Sequence, residues 1–203
     1  MSSLKIYGVA QSRAHRTLWC AEELGLDYET VQIHFADGTS KAPEYLAINP
    51  NGKIPAIRDG EFTLWESMAI NCYLAKKHAG ALWPATLEGE ALVLQWSFWT
   101  VAELEKPLLA ILLNSPRFPG RVPDPATVAA AEAGLPKPLA VLNAALAKTP
   151  YLLGDAFTLA DLNTAAVLNW GVMAEYDFGP YPHVSKWLRS CLERPASQRA
   201  AAR

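Results

Sequence analysis

Cysteine is scarce in this 203-residue chain. Cys20, Cys72 and Cys191 lie too far apart to form a CxxC pair or a zinc-ligand spacing. No apolar run approaches the roughly 18 uncharged residues of a membrane-crossing helix. An excess of one charge is also missing. Lys and Arg number 18 against 20 Asp and Glu, a net charge of -2, which gives no attraction to nucleic acid or an anionic membrane. Met1-Ser2-Ser3-Leu4-Lys5 leads straight into a strand and lacks the apolar core of a signal peptide. Repeats and low-complexity tracts are absent. These absences predict a soluble, cytoplasmic protein with reduced thiols and no zinc-type metal site. With 51% hydrophobic and 19% charged residues, the chain can fill the core of one or two domains.

Residues 4–9 form a β-type run, rich in branched and aromatic side chains. Residues 13–24 turn helical, with Leu18, Ala21 and Leu24 at spacings of three, Trp19 and Cys20 widening the apolar face, and Gly25 at the C-cap. A second strand is predicted at 28–33, hence a parallel β-α-β unit. Strands at 53–57 and 62–64, turned at Asp59-Gly60, precede a helix at 67–77 with Lys76-Lys77 at its C-terminal end. The order βαβ then ββα implies a mixed four-stranded sheet.

The stretch from Asn49 to Ile57 organises this half. Asn49-Pro50-Asn51-Gly52 is dense turn chemistry, and Pro55 interrupts the strand it feeds. A proline there calls for an edge, a bulge or a cis peptide. A cis Ile54-Pro55 bond would leave the Ile54 N–H and C=O to bind an extended peptide by strand addition; a plain loop-to-strand turn is the other reading.

This order of elements, with Ile54-Pro55 and the Glu66-Ser67 pair, resembles the cytosolic glutathione transferases over nearly the whole chain. The resemblance implies an α/β thioredoxin-like domain at 1–80, a linker at 81–88 and an all-helical domain at 89–203 carrying an electrophile pocket. It implies glutathione as co-substrate with no permanently bound cofactor and no metal, a small electrophile as second substrate and a homodimer. Glu66 would receive the α-ammonium of the γ-glutamyl end, and Ser67 would meet its α-carboxylate. A helix N-terminus suits an anion, and Ser67 also reads as a simple N-cap. Ile54 would pair with the cysteinyl backbone. Lys41 and Lys53 would meet the peptide's carboxylates, particularly the glycyl one, and each also reads as a solvated surface charge.

A thiol of pKa about 8.5 is only a few per cent ionised at pH 7, so the site must stabilise the thiolate. Two hydroxyls qualify: Ser12, in the turn after the first strand, and Tyr7, near that strand's end. Ser12 followed by Arg16 resembles the serine-type classes, theta- and phi-like, whereas tyrosine-type members usually carry glycine where Ser12 stands. Ser12 is therefore favoured, with Tyr7 as runner-up or a half-buried strand aromatic. Arg16 would support the site electrostatically or be an exposed helix residue, and His15 is expected to face solvent. Ser12-Arg13-Ala14-His15 stands where thioredoxin-like redox proteins carry CxxC. Serine there removes dithiol exchange.

From about Glu88 the chain reads as helix and loop. Residues 90–113 form a long apolar helix. Pro116, Pro119, Pro123 and Pro125 mark a loop in which Asp124 caps the next helix, and Gly134-Leu135-Pro136 breaks that one. Thr158-Leu159-Ala160-Asp161 is a capping-box pattern, read as stability rather than chemistry. The expected activity is glutathione conjugation to small, largely apolar electrophiles. Glutathione-dependent peroxide reduction or isomerisation on the same site is an alternative, and so is a non-catalytic binding protein that keeps the fold.

Overall fold

The computed structural model describes residues 4–78, 80–116 and 122–203. Residues 1–3, Ala79 and the Pro119 part of the expected loop lie outside them. The chain divides into two compact units. One comprises 1–83 together with 194–203, the other 84–193.

In the first unit, β1 (Leu4–Tyr7), α1 (Ala14–Glu23) and β2 (Glu29–Val31) form the β-α-β unit, with β1 and β2 parallel. A 3₁₀ turn (Thr39–Lys41) and the short α2 (Pro43–Leu46) follow. Next come β3 (Ala56–Asp59), β4 (Phe62–Trp65) and α3 (Ser67–Lys77), giving a sheet of order β2-β1-β3-β4. Strand β2 is shorter than the predicted 28–33. It is an edge strand pairing only with Lys5, Ile6 and Tyr7 of the four-residue β1, so β1 limits its length.

Side chains alternate across the sheet. Ile6 and Ile57, opposite each other and fully buried, face one way with Leu18, Ile70 and Leu74 of α1 and α3. Tyr7 and Ala56 face the other way, in a cluster with Val9, Tyr45, Ile48 and Ile54. Helix α10 (Pro195–Ala201) packs on α1. The sequence reading did not anticipate that return of the C-terminus to the first unit.

The second unit contains α4 (Leu87–Thr100), α5 (Lys106–Leu113), α6 (Pro125–Gly134), α7 (Pro136–Leu146), α8 (Leu159–Met173) and α9 (Pro182–Leu192). The predicted 90–113 helix is interrupted by a π-helical turn, Val101–Glu105. Pro107 supplies the reason: it has no N–H for the Glu103 carbonyl, and its ring would crowd that turn in a regular α-helix. Asp124 accepts from the Ala126 N–H and caps α6, with Pro125 at the first helical position. Twelve of the fifteen residues of α8 are buried, so it is the core helix of this unit and has no polar face to show solvent. Ser97 and Thr100 of α4 meet Asn163 and Thr164 of α8 at 2.9 Å each, satisfying four buried polar side chains in pairs.

The Asp161 carboxylate accepts from the Leu152 and Thr158 N–H groups at 2.9 Å and from the Trp187 indole N–H at 3.0 Å. It is fully buried. The capping box thus ties the start of α8 to α9 and to the preceding loop.

Candidate functional site

Strand register explains why residues distant in sequence meet. Tyr7, Ala56 and Trp65 form one row across β1, β3 and β4. The next residue beyond that row on each strand is Gly8, Pro55 and Glu66. The turn carrying Ser12, the Ile54-Pro55 segment and the start of α3 therefore emerge at one end of the sheet. Gly8 sets their spacing. With φ at 144°, a Cβ there would lie 2.6 Å from the Ala14 Cβ and 3.4 Å from the Ile54 Cβ.

Ser12 is half-buried in the turn before α1. Its hydroxyl lies 2.6 Å from the Val9 carbonyl and 3.0 Å from the Ala14 N–H. A carbonyl can only accept and an N–H only donate, so Oγ donates to Val9 and accepts from Ala14. Swinging the O–H from Val9 to a ligand anion exchanges one hydrogen bond for another, while the Ala14 N–H continues to polarise the oxygen. Tyr7 is buried instead in the cluster on the α2 face, its ring 6.0 Å from that of Tyr45.

Pro55 follows a cis peptide bond. The ladders end at Ala56, so the Ile54 backbone stands outside them. Two residues that the sequence reading did not assign to the site hold this segment. The Tyr45 hydroxyl and the Asn49 amide donate to the Lys53 carbonyl at 2.5 and 2.6 Å. Burial, reinforced by the nearby Tyr7, pushes the Tyr45 phenol up to about 12 despite the opposing Asn49 contact, so it remains a donor at neutral pH. Asn49 could have been suspected from its place before Pro50-Asn51-Gly52. Tyr45 left no such signal.

Glu66 is exposed and has φ 74° and ψ 112°, a positive-φ backbone that a glutamate adopts at a cost. Ser67, buried, begins α3 and receives the Arg16 Nη1 at 3.4 Å. Arg16 is 2% exposed, which rules out the exposed-helix reading, and it puts a buried guanidinium beside a helix N-terminus. Asn71 of α3 donates to the Arg16 carbonyl at 3.2 Å and locks the two helices together. The Lys53 side chain is exposed. Lys41 is exposed too, but its ammonium lies 3.3 and 3.1 Å from the carbonyls of Asn51 and Gly52, so it is partly engaged by the turn.

His15 does not face solvent. It is 8% exposed, its ring 5.9 Å from that of Trp19, and burial lowers its pKa from 6.5 to about 4. Cys20 is fully buried and burial pushes its thiol far up, leaving it inert. Among the described residues no group of three or more His, Cys, Asp and Glu could hold a metal ion.

Residues 2–76 match the glutathione S-transferase N-terminal domain family, and residues 104–195 match the C-terminal domain family. Glutathione S-transferase 4 of Zea mays is 37% identical over 98% of this chain and 92% of its own length. Glutathione S-transferase 1 of the same plant is 38% identical over 100% and 97%. The chain belongs to the glutathione S-transferase family. A solved theta-class glutathione S-transferase from Xanthomonas axonopodis pv. citri, with glutathione bound, superimposes on the transferase with a TM-score of 0.92. It is 34% identical and covers 100% of this chain and 99% of its own. Glutathione S-transferase-I bound with lactoylglutathione gives 0.88 at 37% identity, covering 98% of both chains. The transferase thus shares its mixed sheet, helical region and full length with enzymes of that family.

Proposed function

We propose that the transferase binds glutathione along the rim beyond the Tyr7–Ala56–Trp65 row and uses Ser12 to hold its thiolate. The γ-glutamyl end lies at the start of α3. There Ser67 and the helix N–H groups meet the α-carboxylate, the buried Arg16 guanidinium reinforces the positive potential, and Glu66 takes the α-ammonium. Ile54, held open by Tyr45 and Asn49 through Lys53, pairs with the cysteinyl backbone. Lys53 and Lys41 meet the glycyl carboxylate. The thiol then reaches the Ser12 turn, whose O–H turns from Val9 to the sulfur.

The thiolate attacks an electrophilic carbon of a small, largely apolar substrate. A C–S bond forms, and the leaving group departs with the electron pair. The protein contributes sulfur activation and proximity. The observation that carries this reading is the Ser12 hydroxyl, fixed by the Ala14 N–H and able to redirect its proton. Three free thiols fit a reducing compartment, and we place the protein in the cytoplasm. We also propose a homodimer. Its support is apolar surface left uncovered in each unit: Phe62 and Trp65 on the edge strand β4, and Leu94 and Phe98 on α4.

The test is the ionisation of bound glutathione, followed by thiolate absorbance against pH in wild type and Ser12→Ala. Wild type is expected to bind glutathione with its thiol pKa below the free value of about 8.5. In Ser12→Ala that pKa should return towards the free value, with kcat falling about ten- to hundredfold, the worth of one charge-assisted hydrogen bond. Failure of wild type to bind glutathione would favour a binding protein of another ligand. Intact ionisation in Ser12→Ala would move the role to Tyr7.

A further inference from the structure

Three successive carbonyls ahead of Ile54 are taken up by side chains from one short segment. The Lys41 ammonium lies 3.3 and 3.1 Å from the carbonyls of Asn51 and Gly52. The Tyr45 hydroxyl and the Asn49 amide converge on the Lys53 carbonyl at 2.5 and 2.6 Å. The two stretches approach closely: a Cβ on Gly52, where φ is 56°, would lie 2.8 Å from the Ser40 carbonyl oxygen. Asn49 is tied to the turn as well. Its Oδ1 accepts from the Asn51 N–H at 3.1 Å and its carbonyl accepts from the Gly52 N–H at 2.9 Å. Tyr45 and Asn49 are each 2% exposed, and the Tyr45 ring packs in the cluster that contains the Ile54 side chain. Tyr45 thus holds this segment twice, by its ring and by its hydroxyl.

The direction of that hold matters. The Lys53 carbonyl and the Ile54 N–H belong to one planar trans peptide unit, in which they point to opposite sides. Two donors that draw the carbonyl inwards therefore turn the Ile54 N–H outwards. They also engage both lone pairs of the carbonyl, which fixes the plane, and they polarise the amide so that its N–H donates more strongly. We propose that Tyr45, with Asn49 beside it, is a positioning residue of the transferase: acting through the Lys53–Ile54 peptide unit, it aims the Ile54 N–H at the cysteinyl carbonyl of glutathione. This inference rests on the Ile54 pairing proposed above. It also makes the Tyr45 hydroxyl a determinant of which thiols are accepted. A thiol carried on an extended peptide meets a preset donor, whereas a thiol lacking a backbone carbonyl at that place forfeits the bond. Without the hydroxyl, the peptide plane would have to be ordered at the moment of binding.

The experiment titrates the full-length protein calorimetrically with two ligands. One is S-methylglutathione, which has no thiolate and so leaves Ser12 out of the comparison. The other is the same molecule with its cysteinyl carbonyl replaced by a thioamide, a poorer acceptor. Wild type is expected to bind the thioamide about tenfold more weakly than the parent. Tyr45→Phe keeps the ring and loses only the hydroxyl. It should bind the parent about five- to tenfold more weakly than wild type does, with the thioamide penalty shrunk to about threefold. The KM for glutathione should rise by a similar factor while kcat, measured with an activated aryl chloride, stays within about twofold. Asn49→Ala acts on the same carbonyl, so the double variant should lose less than the product of the two single losses. Asn49→Ala carries the ligand comparison should Tyr45→Phe fail to fold. A thioamide penalty in Tyr45→Phe equal to that in wild type would overturn the inference and leave the Ile54 pairing in place, as would a fall in kcat at unchanged KM. Equal binding of the two ligands by wild type would remove the pairing and the inference together.

Discussion

One buried carboxylate of the second unit shows how much a single side chain carries. Asp161 is the hub of three backbone or indole donors, and the sequence showed it as half of a capping box. What the sequence did not show is that Leu152 and Trp187 converge on the same carboxylate, because neither spacing nor periodicity marks them. Burial pushes the Asp161 carboxyl up, while those donors pull against it without prevailing. Asp161→Ala would strand the part-buried Leu152 N–H and three buried donors, the Thr158 N–H, the Thr158 hydroxyl and the Trp187 indole, each buried one costing about 1–3 kcal/mol. We expect a loss of at least about 3 kcal/mol in urea-induced unfolding followed by tryptophan fluorescence, since Trp187 reports on this unit. Asp161→Asn, which keeps one acceptor oxygen, should lose less. Equal stability of the alanine variant and wild type would mean that the network is dispensable. The candidate site divides in the same way. The helix start at Glu66-Ser67 was legible because an acid and a hydroxyl before a helical run form a local pattern. The support given by Tyr45 and Asn49 was not, since it depends on where α2 comes to lie.

Helices and strands were legible where a local cause sets them. The hairpin at Asp59-Gly60, the Asp124-Pro125 helix start and the break at Leu135-Pro136 all follow from residue types at fixed offsets. The length of β2 and the π-helical turn were not legible, because one is set by its partner's length and the other by Pro107 acting four residues back. His15 was placed in solvent for a similar reason: nothing in its own helix announces that α10 covers it. That burial has a consequence for stability against pH. The folded-state pKa of about 4 lies below the ordinary 6.5, so between these values the unfolded chain binds the proton and the folded one does not. The cost is absent above about pH 6.5, grows as pH falls and reaches about 3 kcal/mol near pH 4. Glu22 acts in a lower window. Burial opposes its charge, but Arg199, Arg203 and Tyr28 outweigh that and hold it at about 2, so its stabilisation is present above about 4.5 and lost below. Asp161, with a raised pKa, works the other way and costs stability as pH rises above its ordinary range. Denaturant midpoints should therefore fall between pH 6.5 and 4.5 in wild type, and His15→Gln should flatten that slope. A slope unchanged in His15→Gln would assign it to other groups.

At the scale of the whole molecule, the sequence revealed the two-part architecture through the change from mixed β and α patterning to helix alone. It did not reveal that the last ten residues return to the first unit, because α10 is short and its arginines look like any solvated C-terminus. Nor did it reveal which apolar side chains stay uncovered, since the apolar residues of α4 are spread around the helix and periodicity cannot separate its faces. Phe98 is 68% exposed there. An exposed phenylalanine on a monomer can be replaced by glutamate within about 0.5 kcal/mol. In a homodimer that covers it, the same change buries a charge and favours separate chains. Sedimentation should therefore give a two-chain mass for wild type and a shift towards one chain in Phe98→Glu. The midpoint of thermal unfolding should rise with protein concentration in wild type and lose that dependence in the variant, because a partner that binds only the folded state stabilises it by mass action. A one-chain mass for wild type at micromolar concentration, with a concentration-independent midpoint, would refute the dimer and leave α4 as a surface with another use.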